Sequence, residues 1–174
     1  MESRSKILGH PPHMLLVAFP IGLLATSVVF DTISLMKGDP VMATVAYWLM
    51  AAGAIGALVA APFGLFDWLA IPSGTRAKAV GAAHGIGNVI VLILFAASWW
   101  LRRKNVPDPG NAAHVLSYAG LGLALVTSWL GGELVVRMGV GIDDGADLDA
   151  PSTLSGSPAK VGPVLGPARS DRRR

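Results

Sequence analysis

Apolar residues in this chain gather into four long stretches, Met14–Met36, Val41–Ile71, Ala79–Leu101 and Val115–Met138. A helix crosses the hydrocarbon core of a bilayer with roughly 20 such residues. Each stretch therefore predicts a membrane-spanning helix, and the fold class is all-α, an integral membrane four-helix bundle. The polar punctuation agrees. His10-Pro11-Pro12-His13 opens the first helix, where a proline costs no hydrogen bond. Lys37-Gly38-Asp39-Pro40 is a tight turn, Ile71-Pro72-Ser73-Gly74 ends the second helix, and Thr75–Lys78 is a short basic connector. Arg102-Arg103-Lys104 closes the third helix, Asn105–Ala113 is a loop, and the fourth helix runs through Gly131-Gly132-Glu133 to Arg137. Pro20 and Pro62 lie inside spans, and each predicts a bend or a local widening.

The bundle is expected over residues 1–141 and a disordered tail over 142–174. The tail turns acidic at Asp143, Asp144, Asp147 and Asp149, continues rich in Pro, Gly and Ser, and ends basic at Arg169, Arg172, Arg173 and Arg174. It holds too little apolar surface to fold alone. The apolar run after Arg4 and Lys6 is too long for a cleaved leader and lacks a small-residue cleavage site, so the first helix is read as retained.

Composition sharpens the picture. The chain is 52% hydrophobic and 14% charged, against about 25% charged in soluble domains. There is no cysteine, which excludes a disulfide, a zinc–thiolate site and a Cys-ligated iron–sulfur cluster within the chain. The net charge of +3 comes largely from loops and the tail; beside a bilayer such charge meets anionic lipid, and no aromatic-interleaved basic surface points to nucleic acid. Small residues at spacing four, Gly53 with Ala57, Ala60 with Gly64 and Gly81 with Gly85, allow close helix packing within one chain or along a homodimer seam. Trp48, Trp68, Trp99 and Trp100 fit an interfacial belt. Trp129 lies deeper and is expected to wall the polar residues near Glu133.

Those polar residues are the chemistry the sequence offers. His10, His13, Asp67, His84, Glu133 and Arg137 lie near one membrane face and come from four different helices. Ionisable groups at membrane depth are costly, so their convergence points to a site. Imidazoles with carboxylates suit zinc, iron or manganese, with His10, His13, Asp67, His84 and Glu133 as the candidate ligands. The Glu-x-x-His signature of di-iron bundles is missing. Haem b needs two imidazoles at similar depth, which His84 supplies with His13 or His10. A packing role competes with both: Glu133 pairs with Arg137 one turn on, Asp67 with Arg76 or Lys78, and His84 with a carbonyl of a neighbouring helix. Near the other face Asp31 and His114 read as a hydrogen-bonded pair. Mid-span polar residues (Thr26, Ser27, Asn88, Ser98, Thr127, Ser128) are too few for a transport path.

The pattern resembles a bacterial group of small four-helix membrane proteins defined as a domain of unknown function. The matching residues are His10-Pro11-Pro12-His13, Phe19-Pro20-Ile21-Gly22, Asp31, Gly64-Leu65-Phe66-Asp67-Trp68, Ala83-His84, and Trp129-Leu130-Gly131-Gly132-Glu133-Leu134 before Arg137-Met138-Gly139-Val140-Gly141. They cover residues His10 to Gly141. Some members of that group are joined to Rieske-type iron–sulfur domains, so the resemblance implies a redox neighbourhood. It carries over no established activity. Without cysteine, electron transfer here requires a redox partner protein.

The sequence thus points to a membrane protein that binds a transition metal or haem and is redox-linked, with no independent enzymatic reaction. The alternative is a structural or interaction subunit whose polar residues only fix helix packing. An even number of spans puts both termini on one side. Arg4, Lys6, Arg76, Lys78 and Arg137 on that side against Lys37, Arg102, Arg103 and Lys104 favour cytoplasmic termini in a bacterial plasma membrane. Reporter fusions after Lys37, Lys78, Lys104 and Gly141 should place Lys78 and Gly141 on the same side; opposite sides would contradict four spans.

Overall fold

The computed structural model describes residues 1–155 and shows an all-α bundle. The helices are α1 (Pro12–Leu16), α2 (Ala18–Lys37), α3 (Pro40–Ala70), α4 (Arg76–Arg102) and α5 (Asn111–Gly132), the last continued by a π-helical turn, Glu133–Arg137. Counting α1 with α2 and the turn with α5, four spans of 26, 31, 27 and 27 residues are long and apolar enough to cross a membrane. Tail residues 142–155 form turns without helix or strand. The remainder of the expected tail, including its basic end, lies outside the described residues.

Local chemistry sets the helix ends. Gly38 takes the left-handed conformation (φ 65°) and its N–H bonds Ser34 O at 2.8 Å, a glycine C-cap. The Asp39 carboxylate then accepts the Val41 N–H at 2.9 Å, with Pro40 at the first position of α3. Thr75 caps α4 by accepting the Lys78 N–H at 3.1 Å. The two internal prolines behave differently. The missing N–H of Pro20 would have bonded Leu16, and α1 stops at Leu16. At Pro62 helix α3 runs on as one α-helix from Pro40 to Ala70, without a π-helical turn. The π-helical turn, where the Met138 N–H reaches Glu133 O at 3.2 Å, has no signature in the apolar pattern.

In cross-section, α2 packs on α3 and α5, and α4 packs on the same two helices, so α2 and α4 face each other across the diagonal. Leu24, Val28, Met50, Val91 and Phe95 form the apolar centre. Two glycines admit the large side chains. A Cβ at Gly53 would lie 2.7 Å from Leu24, and one at Gly120 would lie 2.9 Å from Phe95. Trp99 stacks on Tyr47 inside the bundle at 5.4 Å rather than joining the interfacial belt. Trp48 and Trp100 are exposed as a belt requires, and Arg103 lies over the Trp100 ring.

The bundle is locked at one end by charge. Arg102 reaches across the diagonal and binds both oxygens of Asp31, at 2.6 and 2.7 Å. Neither side chain has exposed surface. Arg102 Nε donates to Ser98 Oγ at 3.2 Å, and Ser117 Oγ donates to Asp31 at 3.0 Å. The expected Asp31–His114 hydrogen bond does not form. His114 Nε2 stands 4.0 Å away, because the guanidinium and Ser117 already occupy the carboxylate. Arg102, read from the sequence as part of a basic helix end, is the partner instead. Removing one member of a buried pair strands the other charge and costs about 3–5 kcal/mol. Asp31→Ala and Arg102→Ala should each destabilise the protein by about that amount. The double variant should lose less than either single one. Thermal unfolding in detergent checks this, and an additive double loss would contradict the pairing.

Candidate functional site

Each helix of the diagonal pair turns one stripe of residues toward the bundle centre. On α4 the stripe reads His84, Asn88, Val91, Phe95, Ser98, Arg102, at alternating spacings of four and three. On α1 and α2 it reads His13, Val17, Pro20, Leu24, Ser27, Asp31. His13 and His84 therefore occupy the same depth on inward stripes, at the end opposite the ion pair. That end is more open. Ser27, Ser98, Asp31 and Arg102 are fully buried, whereas His13 and His84 are half-buried and Asn88 is exposed despite its inward position.

Both imidazoles are held in the same manner. His13 Nδ1 bonds Ala60 O on α3 at 3.1 Å, and His84 Nδ1 bonds Thr127 O on α5 at 2.8 Å. A carbonyl only accepts, so Nδ1 carries the proton in both rings and Nε2 is the nitrogen left to serve as a ligand. Each ring also lies against a glycine one turn past its carbonyl. A Cβ at Gly64 would come within 2.7 Å of His13 Cε1, and one at Gly131 within 3.0 Å of His84 Cε1. Asn88 adds a contact with no counterpart at His13: its amide donates to His84 Nε2 at 3.1 Å while its oxygen accepts from Thr127 Oγ1 at 3.0 Å.

The rest of the expected ligand set goes elsewhere. Among the described residues no three of His, Asp and Glu stand close enough to hold a metal ion. Asp67 accepts Ser3 Oγ at 2.6 Å rather than meeting Arg76 or Lys78. Lys78 instead lies 4.0 Å over the Trp68 ring and donates to Trp68 O. Glu133 pairs with Arg76 at 3.4 Å, not with Arg137, because the π-helical turn carries Arg137 off the i, i+4 register. His10 sits in the exposed lead, its Nδ1 3.2 Å from Leu8 O. Trp129 is exposed and walls nothing.

A polar cap crosses this end of the bundle. The Gly141 N–H bonds Met1 O at 2.9 Å, and Lys6 joins Glu2 at 2.7 Å and Asp143 at 3.2 Å. The Lys6 hydrogen bond holds the Glu2 carboxyl below its usual range, and Glu2 in turn raises Lys6. The Gly145 N–H, then Lys6, lowers Asp143.

Nothing in the residue pattern marks Ser3 as the partner of Asp67, nor Gly64 and Gly131 as seats for the imidazoles. The signal for Arg102 was present, since it continues the stripe that begins at His84. No curated protein and no solved structure matches the chain. From residue 9 to residue 144 the chain fits the family model described as predicted membrane protein DUF2231, and with the four apolar helices seen here the protein belongs to that membrane-protein family.

Proposed function

We propose that this multi-pass membrane protein binds a metal-centred cofactor, a transition metal or haem, through His13 and His84, and that it serves a redox-linked role. The observation that carries the reading is the pair of Nδ1–carbonyl bonds. Metal-bound histidines are typically oriented this way, with the far ring nitrogen donating to a carbonyl or carboxylate so that the ligating nitrogen is fixed and made more basic. Two such rings on inward stripes, at an end of the bundle that is not packed shut, are what a ligand pair requires. Electron transfer would run to a partner protein, since the chain carries no cysteine for a cluster of its own. The proposed setting is a bacterial plasma membrane, with both termini cytoplasmic as the basic residues flanking the helices favour.

Asn88 favours the second reading, that of a packing or interaction subunit. Its amide already satisfies His84 Nε2, so the ring has two protein partners and needs no metal.

One variant separates the two. If His84 is a ligand, His84→Ala removes the bound metal or haem and leaves most of the fold, because a ligand set fails when one member goes. If it only packs, the same change costs about 1 kcal/mol, the scale of hydrogen bonds within membrane bundles. Cofactor content and thermal unfolding measured on one preparation decide it. A wild-type protein free of metal and haem, together with a small stability loss in the variant, would overturn the proposal.

A further inference from the structure

The bundle is built from one hairpin used twice. Asp31 and Arg102 are 71 positions apart. At the same offset His13 maps onto His84, and the buried Pro20, Leu24 and Ser27 map onto the buried Val91, Phe95 and Ser98. Helices α3 and α5 repeat at one constant offset of their own. Ala46, Tyr47, Met50, Gly53 and Ala60 map onto Ala113, His114, Ser117, Gly120 and Thr127, which are all the buried residues of α5. The contacts repeat with the positions. Gly53 seats Leu24 as Gly120 seats Phe95, and Gly64 seats His13 as Gly131 seats His84. Heptad spacing alone would not put a glycine beneath the same partner in both halves.

The equivalent helices run in the same direction, so the two halves are related by a pseudo-two-fold axis along the membrane normal. In a two-fold arrangement a residue touches its own counterpart only near the axis. Asp31 and Arg102 touch, and so mark the axis at one end. His13 and His84 are the counterpart pair at the other end, roughly 27 Å away at 1.5 Å per residue.

We propose that His13 and His84 are the two axial ligands of a single haem seated on this axis, one imidazole from each half. This deepens the proposed function and rests on it. Two equivalent nitrogens are a complete protein contribution to a haem, whose porphyrin supplies the other four donors. They are too few for a bare ion, and no third donor stands near among the described residues. At this depth the stripe is the least covered, with Asn88 exposed and His13 and His84 half-buried. Asn88 is also where the halves differ, its counterpart being Val17. Its amide must turn away from His84 Nε2 for the ring to ligate.

The test uses the full chain purified in mild detergent and titrated with hemin, read by absorption and electron paramagnetic resonance. The expected result is one haem per chain with the low-spin signature of two imidazoles, a measurement on the wild type that needs no variant. His13→Ala and His84→Ala should each abolish that signature to the same extent. Asp67→Asn should leave it intact, and Asn88→Val should load haem at least as well as the wild type. A low-spin signature that survives either histidine change would overturn the haem pair. Metal bound without haem, and lost on changing His13 or His84, would overturn it while leaving the proposed function standing. Neither metal nor haem at stoichiometric levels would overturn both.

Discussion

Asp31 and Arg102 meet with no exposed surface, inside a bundle whose outer face is apolar. In lipid neither charge has water to fall back on, so each depends on the other. The bidentate geometry leaves little freedom in how α2 and α4 stand relative to each other. Ser98 and Ser117 tie the same pair to α4 and α5, and Ser98 Oγ also donates to Ala113 O at 2.6 Å. A slip of one helical turn in any of these elements would strand a charge. Apolar packing alone does not set register so sharply, because lipid solvates a leucine about as well as another helix does.

That constraint explains the contrast between the two ends of the molecule. Around the ion pair every inward position is buried. Around the histidines the inward stripe is only partly covered, and the rings are held by one carbonyl bond each, with Asn88 added at His84, rather than by a charge network. Order at the closed end fixes the depth of α2 and α4, and therefore the depth of His13 and His84, about five turns away along the same helices. The ion pair positions the imidazoles without contacting them.

Much of the fold was legible because membrane spans are written in composition. The four spans, the glycine and proline turns, and the shared depth of His13 and His84 follow from run length and helical rise. The candidate site was legible only in part. Asp67 and Glu133 have the right depth but the wrong direction, and depth along a helix does not reveal which neighbour a side chain meets. Ser3 and Arg76 are far away in sequence and satisfy these carboxylates in space. Arg102 was hidden by its neighbours Arg103 and Lys104, since a run of basic residues at a helix end usually faces the interface. The constant offset between the hairpins is carried by one buried stripe per helix, and the lipid-facing residues between them share no such pattern.

The register of the bundle rests most on Asp31 being charged inside the membrane. Infrared spectra of the protein in lipid bilayers, with isotopically labelled aspartate and with Asp31→Asn as the reference, report that state directly. An ionised carboxylate band is expected at neutral pH and should be lost in Asp31→Asn. A protonated carboxyl band assigned to Asp31 under the same conditions would mean that no ion pair joins the two halves, and it would contradict the account.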